Sequence, residues 1–166
     1  MTVLCDGTFG EDRRFKNVVH VRQDGGLIAA MERYEGVKFV LISPDELKLP
    51  SYVKNGLKQK GIAYSQTTDL EAAMPELDVL YMTRVQKERF FNEADYIRLK
   101  DTYILDPEKL RTAKADMSIL HPLPRVNEIS TKVDDDPRAV YFDQVRNGRF
   151  VRMALITTLL NWGDNA

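Results

Sequence analysis

The chain has 166 residues, room for one domain with a single core, and 43% of them are hydrophobic, as in an ordinary globular protein. Lys and Arg number 24 against 25 Asp and Glu, a net charge of -1, so no field steers the chain toward nucleic acid or an anionic membrane. The single cysteine, Cys5, excludes an internal disulfide, and with only two histidines beside it a zinc site of the usual kinds is short of ligands; with no leader-like start and no long apolar run, the expected home is the cytoplasm.

Residues 1–26 show no period, because Asp6, Gly7, Gly10, Asp24, Gly25 and Gly26 break each apolar run. An irregular segment is expected there, with a short strand at Asn17 to Val21 as its one candidate element. From Leu27 the pattern settles. Leu27, Ile28, Met31 and Tyr34 share a helical face that Gly36 would end, and Val37 to Ile42 reads as a buried strand. Ser43-Pro44-Asp45-Glu46 carries helix-start chemistry, but Pro50 moves the expected helix to Ser51, with Tyr52, Val53 and Leu57 as its stripe and Gly61 as its end.

A strand at Ile62 to Ser65, a helix at Asp69 to Met74 and a strand at Leu77 to Met82 follow. Helical stretches are expected near Asn92 to Lys100 and Pro107 to Ala115, then strands at Met117 to Leu120 and Ala139 to Phe142. Strands apolar on both faces, alternating with helices, predict an α/β domain: three layers, α/β/α, around a mostly parallel sheet. Phe150 to Trp162 is apolar nearly all round as a helix, with Arg152 its only charge. It packs either in this domain's own core or on a second domain or subunit.

Ligands of open α/β sheets bind beyond the carboxyl ends of the strands, which directs attention to the segments after Met82 and Leu120. The first contains Arg84 and Gln86, which face one side in extended chain; a guanidinium there suits a carboxylate, although the segment also reads as a solvated charged loop. The second, His121-Pro122-Leu123-Pro124-Arg125, has two prolines that remove donors and stiffen the neighbouring carbonyls, an acceptor edge for an amide-like group. It also reads as a rigid turn with His121 a hydrogen-bonded side chain. No nucleophile and base pair can be assembled, so no catalytic residue is assigned. Gly25-Gly26 lacks the spacing and lysine of a phosphate loop.

Asp78 to Arg89 and His121 to Ile129, read as whole motifs, resemble the two signatures of the second domain of aspartate carbamoyltransferases. Ser43-Pro44-Asp45 to Leu49-Pro50, Asp136 to Phe142, Gln144, Asn147-Gly148 and Arg152 to Leu155 extend the resemblance over about Leu27 to Trp162. Pro122 stands where the ornithine relatives usually carry a cysteine, so the aspartate branch is the better match. The resemblance implies two similar α/β domains meeting at a cleft, the first holding carbamoyl phosphate and the second, matched here, holding L-aspartate. The aspartate amino group attacks the carbamoyl carbon and phosphate leaves, a step of pyrimidine biosynthesis, with no metal or organic cofactor. By the same resemblance Arg84 binds an aspartate carboxylate and Gln86 helps position it. The backbone carbonyls of Leu123 and Pro124 hold the carbamoyl amino group, the Leu123–Pro124 peptide is cis, and Lys87 to Lys100 is a closing loop. Assembly into trimers is also implied, so a homo-oligomer, or association with a full-length carbamoyltransferase chain, is the expected partnership.

Two departures accompany the match. The family's Ser-Thr-Arg-Thr phosphate grip is missing, so the expected organisation is an N-terminal segment over 1–26 and an aspartate-binding domain over 27–166, without a carbamoyl-phosphate-binding domain. Without that grip the chain is expected to be inactive alone, and a non-enzymatic binding or regulatory module is the alternative. The family's Gly-Arg-Thr-Val-His-Ser segment is also replaced here by Val21 to Gly26. Those six residues can be encoded GTA CGG CAG GAC GGT GGN, which one base along reads Tyr-Gly-Arg-Thr-Val. A shifted reading frame over residues 1–26 is therefore the hypothesis, and the use of other synonymous codons in the coding DNA would sink it.

Overall fold

The computed structural model describes residues 17–20, 25–83, 94, 97 and 103–163. Its centre is a five-stranded parallel sheet of strands β1 (Asn17–His20), β2 (Lys38–Ile42), β3 (Tyr64–Thr67), β4 (Val79–Tyr81) and β5 (Ser118–Leu120), in the order β3-β2-β1-β4-β5. Every pairing is parallel, with Val19 opposite Val40 on one side and Leu80 on the other, and Leu80 opposite Ile119. The predicted α/β class and three-layer arrangement describe this molecule. Among the described residues the helices with described bounds are α1 (Gly25–Met31), α2 (Ser51–Gln59), α3 (Leu70–Ala73) and the long α4 (Tyr141–Gly163).

Alternation along each strand builds two cores. Phe39 and Leu41 of β2, Val79 and Tyr81 of β4 and Leu120 of β5 pack with Leu27, Ile28 and Met31 of α1 and Leu57 of α2. Val40, Ile42, Leu80 and Ile119 point to the opposite face, against Leu70, Met74, Leu77, Leu110, Val133 and Tyr141. Strands covered on both faces read as continuous apolar runs, which is why Val37 to Ile42 and Met117 to Leu120 are legible as strands.

Local chemistry sets the boundaries. The Asp69 side chain caps α3 by accepting from the Ala72 N–H at 2.9 Å. Past the end of α2, Gly61 adopts φ +68, and the Ile62 N–H donates back to the Leu57 carbonyl at 3.0 Å, a glycine-terminated helix end. Gly36, at φ +73, turns the chain from α1 into β2.

Several expectations need correction. Tyr34 and Tyr52, assigned to apolar helix faces, are exposed. Strand β3 begins two residues later than Ile62, and Asp45–Leu47 and Lys109–Thr112 form only 3-10 turns. Ala139 to Phe142 is not a strand: only Ala139 bridges to Ile119, and Tyr141 and Phe142 already belong to α4. Tyr141 is buried because the first turn of α4 abuts the sheet, which gives one inward residue the look of strand alternation. The helix expected near Asn92 to Lys100 and the loop over Lys87 to Lys100 fall outside the described residues, apart from 94 and 97.

Helix α4 changes environment along its length. Tyr141 is fully buried, whereas residues 152–160 are all exposed, among them Met153, Leu155, Ile156, Leu159 and Leu160. Of the two sequence readings for this segment, packing in the domain's own core is not the arrangement seen for residues 152–160.

Candidate functional site at the carboxyl edge of the sheet

All five strands run the same way, so their carboxyl ends share one edge, and the order reverses between β1 and β4, where such sheets form their binding crevice. Strands β4 and β5 are neighbours there: the Met82 N–H donates to the Leu120 carbonyl at 2.8 Å, so the chain leaves one strand at Thr83 beside the point where the other becomes His121. Arg84 and Gln86, the predicted aspartate ligands, lie outside the described residues. Leu123 and Pro124 are described, and both belong to the loop that leaves β5.

That loop is tied from within. His121 is 1% exposed and Glu128 is 3% exposed, and His121 Nε2 lies 2.8 Å from Glu128 Oε1. The Leu123 N–H donates to His121 Nδ1 at 2.9 Å, so Nδ1 carries the lone pair and Nε2 the proton, which it donates to the carboxylate. The other carboxylate oxygen, Oε2, accepts the N–H groups of Val126 at 3.0 Å and Asn127 at 3.1 Å. The His121 backbone N–H donates to the Gln144 side chain at 2.9 Å. Burial alone would raise the Glu128 carboxyl, but the His121 hydrogen bond and the backbone N–H groups outweigh it and hold it at about 2.

Inside this frame Leu123 sits at φ +46, a left-handed conformation that a branched side chain rarely adopts, and the Leu123–Pro124 peptide is cis, as the family resemblance implies. The Leu123 side chain packs on the larger core while Pro122 and Pro124 are exposed. The Leu123 and Pro124 carbonyls accept no hydrogen bond from another described residue. Their acceptor capacity is therefore not used within the described part of the protein.

A second cluster braces the loop from below. Arg125 grips both oxygens of Asp134 and reaches the Tyr141 hydroxyl at 3.2 Å, while that hydroxyl also donates to Asp134. The Arg125 guanidinium and then the Tyr141 hydroxyl hold Asp134 down at about 2. Burial, followed by the bond to Asp134, pushes Tyr141 up to about 12. At the opposite, amino edge of the sheet Lys114 reaches Asp78 at 2.7 Å and Arg138 pairs with Asp136, structural ties remote from the loop.

His121 has both ring nitrogens committed, so it is no free base. Among the described residues no group of three or more His, Cys, Asp or Glu side chains could hold a metal ion. Glu128 and Gln144 are the members that sequence reasoning misses as site builders. Each is a single polar residue without a spacing signature, and its partner lies 7 or 23 positions away.

The model of the family described as aspartate/ornithine carbamoyltransferase, Asp/Orn binding domain, matches residues 21–159. An aspartate carbamoyltransferase catalytic subunit of Lachnoclostridium phytofermentans is 61% identical over 154 residues, which is 92% of this chain and 48% of the relative. Among solved structures, the catalytic subunit of M. jannaschii aspartate transcarbamoylase superimposes with a TM-score of 0.80 at 35% identity, covering 90% of this chain and 50% of that one. The Trypanosoma cruzi aspartate transcarbamoylase, solved in complex with carbamoyl phosphate and aspartate, gives 0.76 at 34% identity over 86% of this chain and 49% of that one. The chain thus spans about half the length of the relatives it matches.

Proposed function

Because the chain belongs to the aspartate/ornithine carbamoyltransferase family through its Asp/Orn binding domain, we propose that it is the amino-acid-binding half of an aspartate carbamoyltransferase, unable to turn over by itself. The observation that supports this reading is the match of residues 21–159 to the Asp/Orn binding domain, together with a His121 to Ile129 loop at the carboxyl edge whose Leu123 and Pro124 carbonyls accept no hydrogen bond among the described residues.

In this reading L-aspartate is the ligand and a cytoplasmic step of pyrimidine biosynthesis its setting. Arg84 grips an aspartate carboxylate with parallel hydrogen bonds and Gln86 positions it. The Leu123 and Pro124 carbonyls accept from the carbamoyl amino group. In the full reaction the aspartate nitrogen attacks the carbamoyl carbon, a proton leaves that nitrogen, and the bond to phosphate breaks. What this half contributes is orientation of the nucleophile and of the acceptor group. The Ser-Thr-Arg-Thr grip that the resemblance assigns to the phosphate does not occur among these 166 residues, so in this reading they leave the charge on the departing group to other residues.

A second reading is favoured by helix α4, whose exposed residues 152–160 present Met153, Leu155, Ile156, Leu159 and Leu160. There the chain is a binding or regulatory module associated with a full-length carbamoyltransferase chain. One experiment separates the readings: carbamoyl transfer from carbamoyl phosphate to L-aspartate, measured for the purified chain alone and mixed with a full-length relative whose aspartate site is inactivated. Activity only in the mixture supports a usable half-site, silence in both leaves the binding module, and turnover by the chain alone refutes the main proposal.

A further inference from the structure

We propose that His121 and Glu128 form a positioning pair that aims the Leu123 and Pro124 carbonyls, setting the preference of the site for a carbamoylated ligand over the bare amino acid. The inference rests on the reading that those carbonyls face the transferred group.

The geometry requires two acceptors from one side chain. Glu128 Oε1 takes the His121 Nε2–H, and Oε2 takes the N–H groups of Val126 and Asn127. With the proton fixed on Nε2, Nδ1 offers its lone pair to the Leu123 N–H. That bond secures the residue whose φ is +46, and so the direction of the carbonyl that follows. The chain of dependence runs carboxylate, imidazole tautomer, Leu123 N–H, Leu123 carbonyl. Both side chains are buried, at 1% and 3% exposure, so water does not compete for these bonds. Neither residue reaches the ligand itself; they act through Leu123.

Glu128→Gln is the discriminating variant because it keeps the shape but supplies one oxygen and one NH2. If its oxygen faces His121, the NH2 confronts two backbone N–H donors; if the NH2 faces His121, the imidazole must move its proton to Nδ1 and confront the Leu123 N–H. Either way the Leu123 direction is lost while the core is untouched.

The test is an NMR titration of the full chain with N-carbamoyl-L-aspartate and, separately, with L-aspartate. The wild-type chain should prefer the carbamoylated ligand by about thirtyfold, the value of two hydrogen bonds. Glu128→Gln should bring that ratio close to one with L-aspartate affinity unchanged, a split that general destabilisation does not produce. Retention of the wild-type ratio in Glu128→Gln overturns the positioning role alone. Absence of any preference in the wild-type chain overturns the carbonyl reading and this inference with it. A second measurement needs no variant: in 15N-histidine-labelled wild-type protein His121 should show the Nε2–H tautomer, and a proton on Nδ1 would overturn the proposal even if Glu128→Gln fails to fold.

Discussion

The Gln144 side-chain carbonyl accepts the backbone N–H of His121 at 2.9 Å, joining the first turn of α4 to the end of β5 across 23 positions of sequence. The donor belongs to a residue 1% exposed, so it has no water to turn to. Gln144→Leu should therefore cost about 1–3 kcal/mol of stability, the cost of leaving a buried donor unpaired. A urea melt measures it, and an unchanged midpoint would mean that the bond is dispensable.

Acid should unfold the domain earlier than its exposed carboxylates alone would require. Glu128 and Asp134 are both held at about 2 in the folded chain, below the ordinary values of 4.5 and 3.8. A folded-state value below the unfolded one contributes stability that is present above the unfolded value and is lost as pH falls through the folded one. The window is therefore about pH 5 down to pH 2. Urea midpoints measured across it should fall steeply for the wild-type chain and less steeply for Glu128→Gln; parallel slopes would contradict the assignment.

Tyr141→Phe keeps the ring, which is fully buried, and removes only the hydroxyl that bonds Asp134 and Arg125. A loss of about 1 kcal/mol is expected. Tyr141→Ala also empties ring volume in the larger core, and about 3–5 kcal/mol should go. Comparable losses for the two substitutions would show that the hydroxyl network, and not the ring, anchors the start of α4.

Leu159→Lys combined with Leu160→Lys should change the unfolding free energy by less than about 0.5 kcal/mol, since both residues are exposed and touch no core. Thermal and urea unfolding would both report it. A large loss would mean that the end of α4 is covered in solution.

Much of the architecture is readable from residue order because a sheet buried on both faces writes itself as uninterrupted apolar runs. Val37 to Ile42 and Leu77 to Met82 each lie within two residues of their strands. Boundaries set by contacts from afar are less legible. Ala139 to Phe142 reads as a strand because Tyr141 is buried, yet what buries it is the docking of a helix end, which leaves no periodic mark in four residues. The stiffened loop that holds Leu123 and Pro124 is announced by its prolines. Glu128 lies inside the matched motif, but its part is not announced, since that depends on which backbone donors the loop brings to its two oxygens.

The placement of β1 in the middle of the sheet has one further consequence. Asn17–His20 bonds to β2 on one side and β4 on the other, so these four residues join two halves of the sheet that share no other pairing among the described residues. Removing them leaves β2 and β4 each with a bare row of N–H and C=O groups facing an open slot. Such a slot is a template for a strand from another molecule, so β1 hides two edges that would otherwise invite pairing between molecules.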